Sequence, residues 1–412
     1  MIQRLTALLL LLFCSAALSR GQTKSTCLDC HSSLDQPLGI AQDRYASDIH
    51  AQKGLTCASC HGGDPNSDDP ERAMSKAAGF RGHIQKRDVP QLCGKCHGDN
   101  AYMRQFNPSL RTDQWAQYAT SQHGKRLSAG DTKVAVCTDC HGVHGIRPAT
   151  DTQSPVHPLN VASTCSRCHA DASYMAFYKI PTDQFAEYTQ SVHHEAMTAR
   201  GDLSAPTCTT CHGNHGAAPP GVATVENVCA TCHVFQAELF DKSPHKAAFA
   251  SAGLPGCVSC HSNHKIVHPT DAMLGAGQDS VCTNCHGPGS HPLLVAADMA
   301  RQIAAMQSAI QHSDELLSRA ERSGMEVGEA KLQQTQAQDA LTKARVGIHT
   351  FAVDPVKAQV DAGMKIANAT SAAGESALRE RDYRRKGLGV SLLLIGFVVT
   401  GLWFYIREIE RK

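Results

Sequence analysis

The chain has 412 residues, only 5% of them aromatic, and its 39 basic and 38 acidic side chains leave a formal net charge of +1. A near-neutral chain lacks the basic excess typical of nucleic acid binding, and no phosphate loop, dinucleotide fingerprint or hydrolase motif is present. The 19 cysteines and 23 histidines are the residues that point to a chemistry.

Residues 1–21 have the pattern of a secretory signal peptide. Arg4 precedes an apolar run from Leu5 to Phe13, and small residues follow as far as Ser19, which predicts export and cleavage. The alternative is a lipoprotein cleavage site at the unpaired Cys14, but the bulky Phe13 stands where a small residue is expected. Export from a bacterial cell places the following domain in the periplasm.

Residues 22–291 contain the sequence Cys-x-x-Cys-His nine times. Two thiols three residues apart can bond to the two vinyl-derived arms of one haem, and the adjacent histidine can then ligate the iron. A single copy also fits a zinc knuckle or a thioredoxin-type redox pair, but zinc sites do not require a histidine after every second cysteine. The pattern therefore predicts nine covalently attached haems c.

The predicted attachment thiols are Cys27, Cys30, Cys57, Cys60, Cys93, Cys96, Cys137, Cys140, Cys165, Cys168, Cys208, Cys211, Cys229, Cys232, Cys257, Cys260, Cys282 and Cys285. The predicted iron ligands within the motifs are His31, His61, His97, His141, His169, His212, His233, His261 and His286.

The haems are expected to form the core of this region. Roughly 30 residues per haem leave too little chain for a protein core around each one, and Gly, Pro, Asp, Ser and His are abundant. The porphyrin faces must then supply the apolar surface, so we expect the apo form to be unfolded. The predicted fold is mostly α and irregular, with short helical turns that carry the motifs between long loops.

The motifs are arranged in pairs. The segment TDQWAQYATSQH at residues 112–123 precedes CTDCH, GVHG and a further motif, and TDQFAEYTQSVHH begins the same order at Thr182. Looser copies contain RYASDIH and AELFDKSPH. Such a repeat predicts stackable two-haem modules, namely one leading haem at Cys27 and four modules that begin at Cys57, Cys137, Cys208 and Cys257.

With these doubled motifs, the chain resembles the multihaem cytochromes c of the doubled-CxxCH and class III type over about residues 27–291. The resemblance implies covalent haem c and redox chemistry, and its relatives include electron carriers, reductases and hydroxylamine-oxidising enzymes. Membrane-bound quinol-oxidising cytochromes of the NapC/NirT type are similar in task, but they usually carry an N-terminal anchor and fewer haems, so their role does not transfer directly.

Fourteen histidines lie outside the motifs. We set aside His312 and His349 because they fall in the helical segment, which leaves twelve histidines for nine sixth positions. One histidine recurs upstream of each module, as either His193 or His194 in the third. The predicted sixth ligands are His50, His83, His123, His144, His157, His193, His215, His245, His264 and His291.

Three of these ligands, His144, His215 and His264, stand three residues after a motif histidine. If that turn is helical, the two rings share one face and cannot bind one iron from opposite sides. Each is therefore expected to reach a neighbouring haem and to join the two haems of a pair. In the first module Asp64 takes this place, and His83 is the expected substitute.

Irons with two histidine ligands pass electrons and leave no position for a substrate, which favours a non-enzymatic electron-transfer protein. One alternative is a multihaem oxidoreductase for a nitrogen or sulfur compound, with one haem open. Another is an interaction module in a larger respiratory complex. The haem propionates make the holoprotein acidic, so no nucleic acid partner is expected.

Residues 292–386 are predicted to form a helical stalk or bundle. Ser323-Gly324 interrupts the helical pattern, and Asp354-Pro355 has the form of an N-cap followed by proline. Three antiparallel helices are expected, as a stalk or, alternatively, as a surface for docking a partner. Helical spacing relates five apolar residues, Met299, Ile303, Met306, Ile310 and Leu317.

Residues 387–406 form an uncharged run that spans about 30 Å as a helix, the thickness of a hydrocarbon layer. Trp403 and Tyr405 near one end, and Tyr383 near the other, suit the interfacial belts. A buried core helix is the alternative. Basic residues are more numerous before the run than after it, against the positive-inside rule, but large domains translocate largely regardless of charge. We expect an inner-membrane anchor with residues 407–412 as a cytoplasmic tail.

An anchor holds the haems close to the quinone pool. The expected partners are therefore a membrane quinol or a quinol-oxidising subunit on one side and periplasmic redox partners on the other, in anaerobic-type respiration. The apolar run has no charge or histidine to relay protons, so quinol chemistry would require the membrane interface or a partner subunit.

Overall fold

The computed structural model describes residues 25–219 and 221–411. The predicted signal peptide and Cys14 lie outside these residues. The chain divides into two compact units: unit 1 extends to Val228 and includes Asn263–Val267, and unit 2 comprises Cys229–Ser262 and the residues from His268 onward. Unit 1 contains the first six motifs, and unit 2 contains the last three together with the long C-terminal helices.

Short helices dominate the motif region, and no strand occurs in the described residues. The α-helices are α1 Thr26–His31, α2 Gln42–Ala46, α3 Ile49–Gln52, α4 Cys57–His61, α5 Pro70–Ala73, α6 Val89–His97, α7 Asn100–Met103, α8 Gln114–Thr120, α9 Gln122–Ser128, α10 Cys137–His141, α11 Pro158–His169, α12 Ala172–Met175, α13 Gln184–Tyr188, α14 Val192–Ala199, α15 Cys208–His212, α16 Val234–Asp241, α17 Pro244–Ala252, α18 Val258–His261, α19 His291–Arg322, α20 Gly328–Gly347 and α21 Val353–Glu410. The 3-10 helices are Lys86–Asp88, Ala176–Tyr178, Val225–Thr231, Asp271–Met273, Val281–Asn284 and Ile348–Thr350. The mostly α and irregular fold is as predicted.

The apolar clusters found in the described residues belong to the long helices α19, α20 and α21. In the motif region, buried apolar side chains such as Val136 and Met197 are dispersed. Burial of apolar area is the main favourable term in folding, so this region needs another apolar surface. Haem faces would supply it.

The helices α19, α20 and α21 form an up-down-up bundle. Ser313 hydrogen-bonds Thr370 at 2.7 Å and Arg381 hydrogen-bonds Ser323 at 3.3 Å, so α19 and α21 run parallel. Lys331 pairs with Glu321 and Arg345 with Gln307, so α20 runs antiparallel to α19. The helix α19 ends at Arg322, as predicted. The helix α21 begins at Val353 with Ala352 as its N-cap, whereas the predicted N-cap was Asp354.

All five apolar residues predicted on one face of α19 are buried in the bundle core. A polar layer crosses this core, where Thr370 donates to Gln334 and the Gln334 amide donates to the Ile310 carbonyl at 2.9 Å. Because each buried polar atom finds a partner, this layer avoids the cost of an unpaired group. At Gly374 a Cβ would lie 2.9 Å from the Cβ of Leu316, so the helices approach closely at glycine.

The helix α21 continues well past the bundle. Leu378 is its last buried residue, and the apolar side chains from Leu388 to Ile409 are exposed. Among the described residues, α21 is the helix long and apolar enough to cross a membrane. The Arg407 guanidinium lies 4.5 Å from the centre of the Trp403 ring, an arrangement suited to a membrane interface. The segment fits the predicted membrane anchor.

Candidate haem sites

A single helical turn carries each first motif of the second and third modules. The helix begins at the first cysteine and ends at the histidine, so the two thiols and the imidazole share one face. Side chains at the third helical position hold the start of the turn: Asp139 accepts from the Val136 amide at 2.7 Å, and Thr210 accepts from the Thr207 amide at 3.1 Å. This local order is what covalent attachment of a haem across both thiols requires.

Seven motif histidines face the ring of a second histidine at 5.9–6.2 Å between ring centres. The pairs are His97 with His50, His61 with His144, His169 with His123, His141 with His215, His212 with His264, His286 with His245, and His261 with His349. An imidazole nitrogen lies about 2 Å from its metal and about 1 Å from its own ring centre, so two axial rings are roughly 6 Å apart. The pairs therefore leave the space that one iron needs.

Ordinary aromatic packing covers a wider range, with ring centres about 4.5–7 Å apart. Other histidine contacts in the same chain lie at 3.9 Å for His245 with Phe351 and at 5.3 Å for His194 with Tyr188. Within the described residues, no group of three or more metal-binding side chains converges on one point. The histidines meet in pairs, as a haem requires and a tetrahedral zinc site does not.

Backbone carbonyls orient two of the motif histidines. His31 Nδ1 lies 2.9 Å from the Leu38 carbonyl oxygen, and His61 Nδ1 lies 3.0 Å from that of Gly82. A carbonyl can only accept, so Nδ1 carries the proton and Nε2 is free to bind a metal. His50, which faces His97, is oriented by Asp48 at 3.1 Å from its Nδ1. Burial opposes ionisation of Asp48, but its hydrogen bonds to His50 and Ile146 lower its pKa.

Burial also keeps five of the paired imidazoles neutral. It lowers the pKa of His141, His169 and His212, because the charged form loses hydration away from solvent. The pKa of His123 and His215 is lowered for the same reason. Neutral imidazole is the form that ligates iron, so these side chains are ready to bind near neutral pH.

The upstream histidines occupy one structural position. Each is the second residue of a short helix whose N-cap is buried: Asp48 for His50, Ser121 for His123, and Ser243 for His245. In the third module Ser191 is the buried cap, which places His193 rather than His194 in this position.

The histidines after the first motifs do not join the two haems of one pair, contrary to our expectation. His144 faces His61 of the preceding module, and His215 faces His141 in the same way. The expected helical turn is absent at these points of the described chain, because each motif helix ends at its histidine and Gly142 and Gly213 follow with φ of 85° and 78°. The left-handed residue redirects the chain toward the preceding module.

Other predicted ligands lie elsewhere. His83 is exposed, His291 is the exposed first residue of α19, and the buried His157 caps α11 by accepting from the Leu159 amide. Within the described part of the chain, no ring contact joins any of these three to a motif histidine. They stay predictions.

We set aside His349 as a ligand, yet its ring faces that of His261 at 6.1 Å. We excluded it because it lies in the helical segment. The first motifs of the four modules nevertheless require four histidine partners, and the loops that follow these motifs supply only three. His312 stays excluded as a ligand, because this residue is exposed on α19.

A recurring tyrosine was also missed. The hydroxyl of Tyr118 donates to the Ala135 carbonyl at 2.9 Å, and that of Tyr188 donates to the Pro206 carbonyl at 3.0 Å. Both acceptors stand two residues before the first cysteine of a module, and burial raises the pKa of Tyr188 to about 12. The tyrosines therefore hold the start of the attachment turn, and their repeated position in the sequence was the available signal.

Cysteines of consecutive motifs lie beside one another. In unit 1, a hydrogen bond between the Cys93 and Cys137 thiols raises the pKa of Cys93, and the contact of Cys165 with Cys208 acts likewise on Cys165. In unit 2, the contact with Cys229 lowers the pKa of Cys257 to about 6. Haems attached through these sulfur atoms would have neighbouring edges.

A cavity of about 490 Å³ adjoins the last motif in unit 2 and is lined by Cys285, His286, Pro288 and Leu293, among others. This volume lies within the range typical of cofactor pockets, roughly 300–1,000 Å³. The donor set and the space beside it fit a haem attached at this motif.

The comparisons with known proteins point to the same chemistry. Residues 49–170 match the family model described as cytochrome c3, and residues 197–238 and 247–291 match the doubled CXXCH motif. The C-type polyheme cytochrome OmcC of Geobacter sulfurreducens is 22% identical over 215 residues, which cover 46% of this chain and 26% of that protein. The chain thus matches about a quarter of this relative's length. No solved structure matches the chain.

Repeated paired thiols, adjacent histidines and facing imidazoles define a multihaem cytochrome of the c type. The chain is a multihaem c-type cytochrome with doubled CXXCH motifs. It carries covalently bound haem c.

Proposed function

We propose that the protein is a membrane-anchored electron carrier with nine haems c, each iron ligated by two histidines. The observation that carries this proposal is the repeated separation of 5.9–6.2 Å between histidine ring centres. Two axial imidazoles saturate an iron, which can then exchange electrons but has no position for a substrate.

The ligands follow one rule through the modules. The second motif takes the upstream histidine of its own module, as in His97 with His50 and His169 with His123. The first motif takes the histidine from the loop of the next module, as in His141 with His215. His193 is assigned as a ligand by its register with the other upstream histidines, and His83, His157 and His291 stay candidates for positions not otherwise filled.

Contacts between motifs support a continuous electron path within each compact unit. In unit 1, burial and the nearby Cys27 thiol raise the pKa of Cys57, so these two motifs are neighbours. The thiol contacts of Cys93 with Cys137 and of Cys165 with Cys208 continue the series. In unit 2, the Cys257 thiol contacts that of Cys229. Burial and then the nearby Cys282 thiol raise the pKa of Cys260, so the last three motifs are also neighbours in chain order. Neighbouring attachment points bring haem edges close, so within each unit electrons pass between motifs in chain order.

The proposed topology has a cleaved signal peptide at residues 1–21, a nonahaem domain at 22–291 in the periplasm and a helical stalk at 292–386. Residues 387–406 cross the bacterial inner membrane, and 407–412 form the cytoplasmic tail. The exposed apolar surface of α21 beyond Leu378 supports the anchor, since an apolar helix of this length is stable in a bilayer and costly in water.

The proposed partners are a membrane quinol or a quinol-oxidising subunit and periplasmic redox proteins in anaerobic-type respiration. An anchor supports electron exchange with quinols, because it keeps the haem domain at the membrane where quinols reside. The alternative is a reductase or dehydrogenase for a nitrogen or sulfur compound. The enzyme alternative requires one iron without a second histidine. The observation that favours it is His31, a motif histidine whose ring contacts no other histidine ring in the described residues.

A quinol analogue added to native membranes containing the full-length protein is expected to reduce the haems, as followed by the visible absorption of ferrous haem c. A chain ending at Arg385 is the matched control, since it keeps the motifs but lacks the apolar helix and should be reduced much more slowly. If neither the membranes nor the purified protein are reduced, the quinol link is wrong. Turnover of nitrite, hydroxylamine or tetrathionate by the pure protein would favour the enzyme.

A further inference from the structure

The first motif of the last module has no following module to supply its ligand. In the earlier modules, the first-motif histidines His61, His141 and His212 face rings carried by the loop of the next module. After the ninth motif the chain instead enters α19 at His291. His261 is therefore the position at which the repeat needs a substitute, as the end of a repeat array generally needs a cap.

The turn between α20 and α21 brings His349 to this position. Its ring centre lies 6.1 Å from that of His261, with 21° between the ring planes. The corresponding pair of His212 with His264 has 6.0 Å and 19°. We propose that His349 is the sixth ligand of the haem attached at Cys257 and Cys260, so that the bundle caps the haem array.

The turn orients His349 for this role. Its Nδ1 lies 2.9 Å from the Val346 carbonyl oxygen, which can only accept, so Nδ1 carries the proton and Nε2 is free. The motif histidines His31 and His61 have the same arrangement with the Leu38 and Gly82 carbonyls. Such a hydrogen bond fixes the tautomer and the ring orientation of a metal ligand.

Contacts on both sides hold the turn against the motif segment of unit 2. Arg345, at the end of α20, makes two hydrogen bonds of 2.9 and 2.7 Å to Asp271, which lies between the last two motifs. Phe351 adopts φ of 54°, which is uncommon for a residue with a side chain. Its ring lies 3.9 Å from that of His245, the histidine that faces His286. The bundle thus reaches both haem positions of the last module.

This inference rests on the proposed ligation by paired histidines and adds that the helical segment supplies one of the iron ligands. The segment that supplies the ligand continues through α21 into the apolar helix. A displacement of α20 relative to α21 would therefore act directly on an iron ligand and on the potential of that haem.

The test uses the full-length holoprotein with His349→Ala. We expect one high-spin ferric iron per chain, carbon monoxide binding to one reduced haem per chain, and return to low spin when imidazole is added. His349→Met is expected to stay low-spin with a raised potential at one haem, because methionine ligation raises the potential. His312→Ala is the matched control, since this exposed histidine lies on the same bundle and its loss should leave every iron as in the natural protein.

Retained far-UV circular dichroism shows that the bundle of each variant is folded. If a folded His349→Ala protein keeps all irons low-spin, the ligand assignment of His349 is overturned. His215→Ala separates this result from failure of the whole scheme. High spin in His215→Ala alone refutes only the capping role, whereas low spin in both variants also refutes ligation by the paired histidines.

Discussion

His215→Ala is expected to convert one low-spin iron per chain to high spin and to create one carbon monoxide site. The ring of His215 lies 6.2 Å from that of His141 with 3° between their planes, and burial lowers its pKa so that it is neutral. Removing it leaves the iron above His141 with an open position. Low-temperature electron paramagnetic resonance and carbon monoxide difference spectra measure the change, and intact mass checks that every haem remains attached.

The matched control for this variant is His194→Ala. His194 neighbours the assigned ligand His193, but its ring packs edge-on against Tyr188 at 5.3 Å. We expect all irons to stay low-spin in the control. His215→Met should restore low spin with a higher potential. If His215→Ala remains low-spin, the imidazole is a packing residue and the iron takes its ligand from elsewhere.

Loss of the haems is expected to unfold the motif region while the bundle stays folded. Ordering each residue costs about 1–2 kcal/mol in backbone entropy, and the buried apolar residues of the motif region are too dispersed to offset this. The bundle has its own core, in which Met299, Ile303 and Met306 are at most 1% exposed. Metal-dependent domains behave in this way when the metal contributes most of the folding free energy.

Residues 22–385 produced in the cytoplasm, where haem is not attached, provide the apoprotein for this comparison. Circular dichroism should report helix close to that of the bundle alone, and limited proteolysis should leave a fragment that begins near His291. The holoprotein of the same residues is the control and should resist cleavage throughout. Protease resistance of residues 25–290 in the apoprotein would contradict a haem core.

The class of fold and the main chemistry could be predicted from the sequence because both are local. Paired cysteines followed by histidine determine haem attachment within five residues, and the spacing of Met299, Ile303 and Met306 determines the buried face of α19. The length and apolar composition of residues 387–406 likewise predicted a helix able to span a membrane, and α21 contains this run.

The partners of the motif histidines could not be predicted, because they depend on contacts between distant residues. His144 meets His61 only after Gly142 turns the chain with positive φ, a conformation that the motif itself does not specify. His349 lies in the helical segment, and only the turn between α20 and α21 brings its ring to that of His261. Counting ligands module by module, rather than over the whole chain, would have identified a missing partner for His261.

Spin quantification of the oxidised full-length protein by low-temperature electron paramagnetic resonance tests the central claim most directly. If the protein is a carrier in which every iron has two axial histidines, nine low-spin ferric irons per chain are expected, with no high-spin signal. One or more high-spin irons per chain in the natural protein would contradict this account. Such an iron would have an open position and would point to an enzyme.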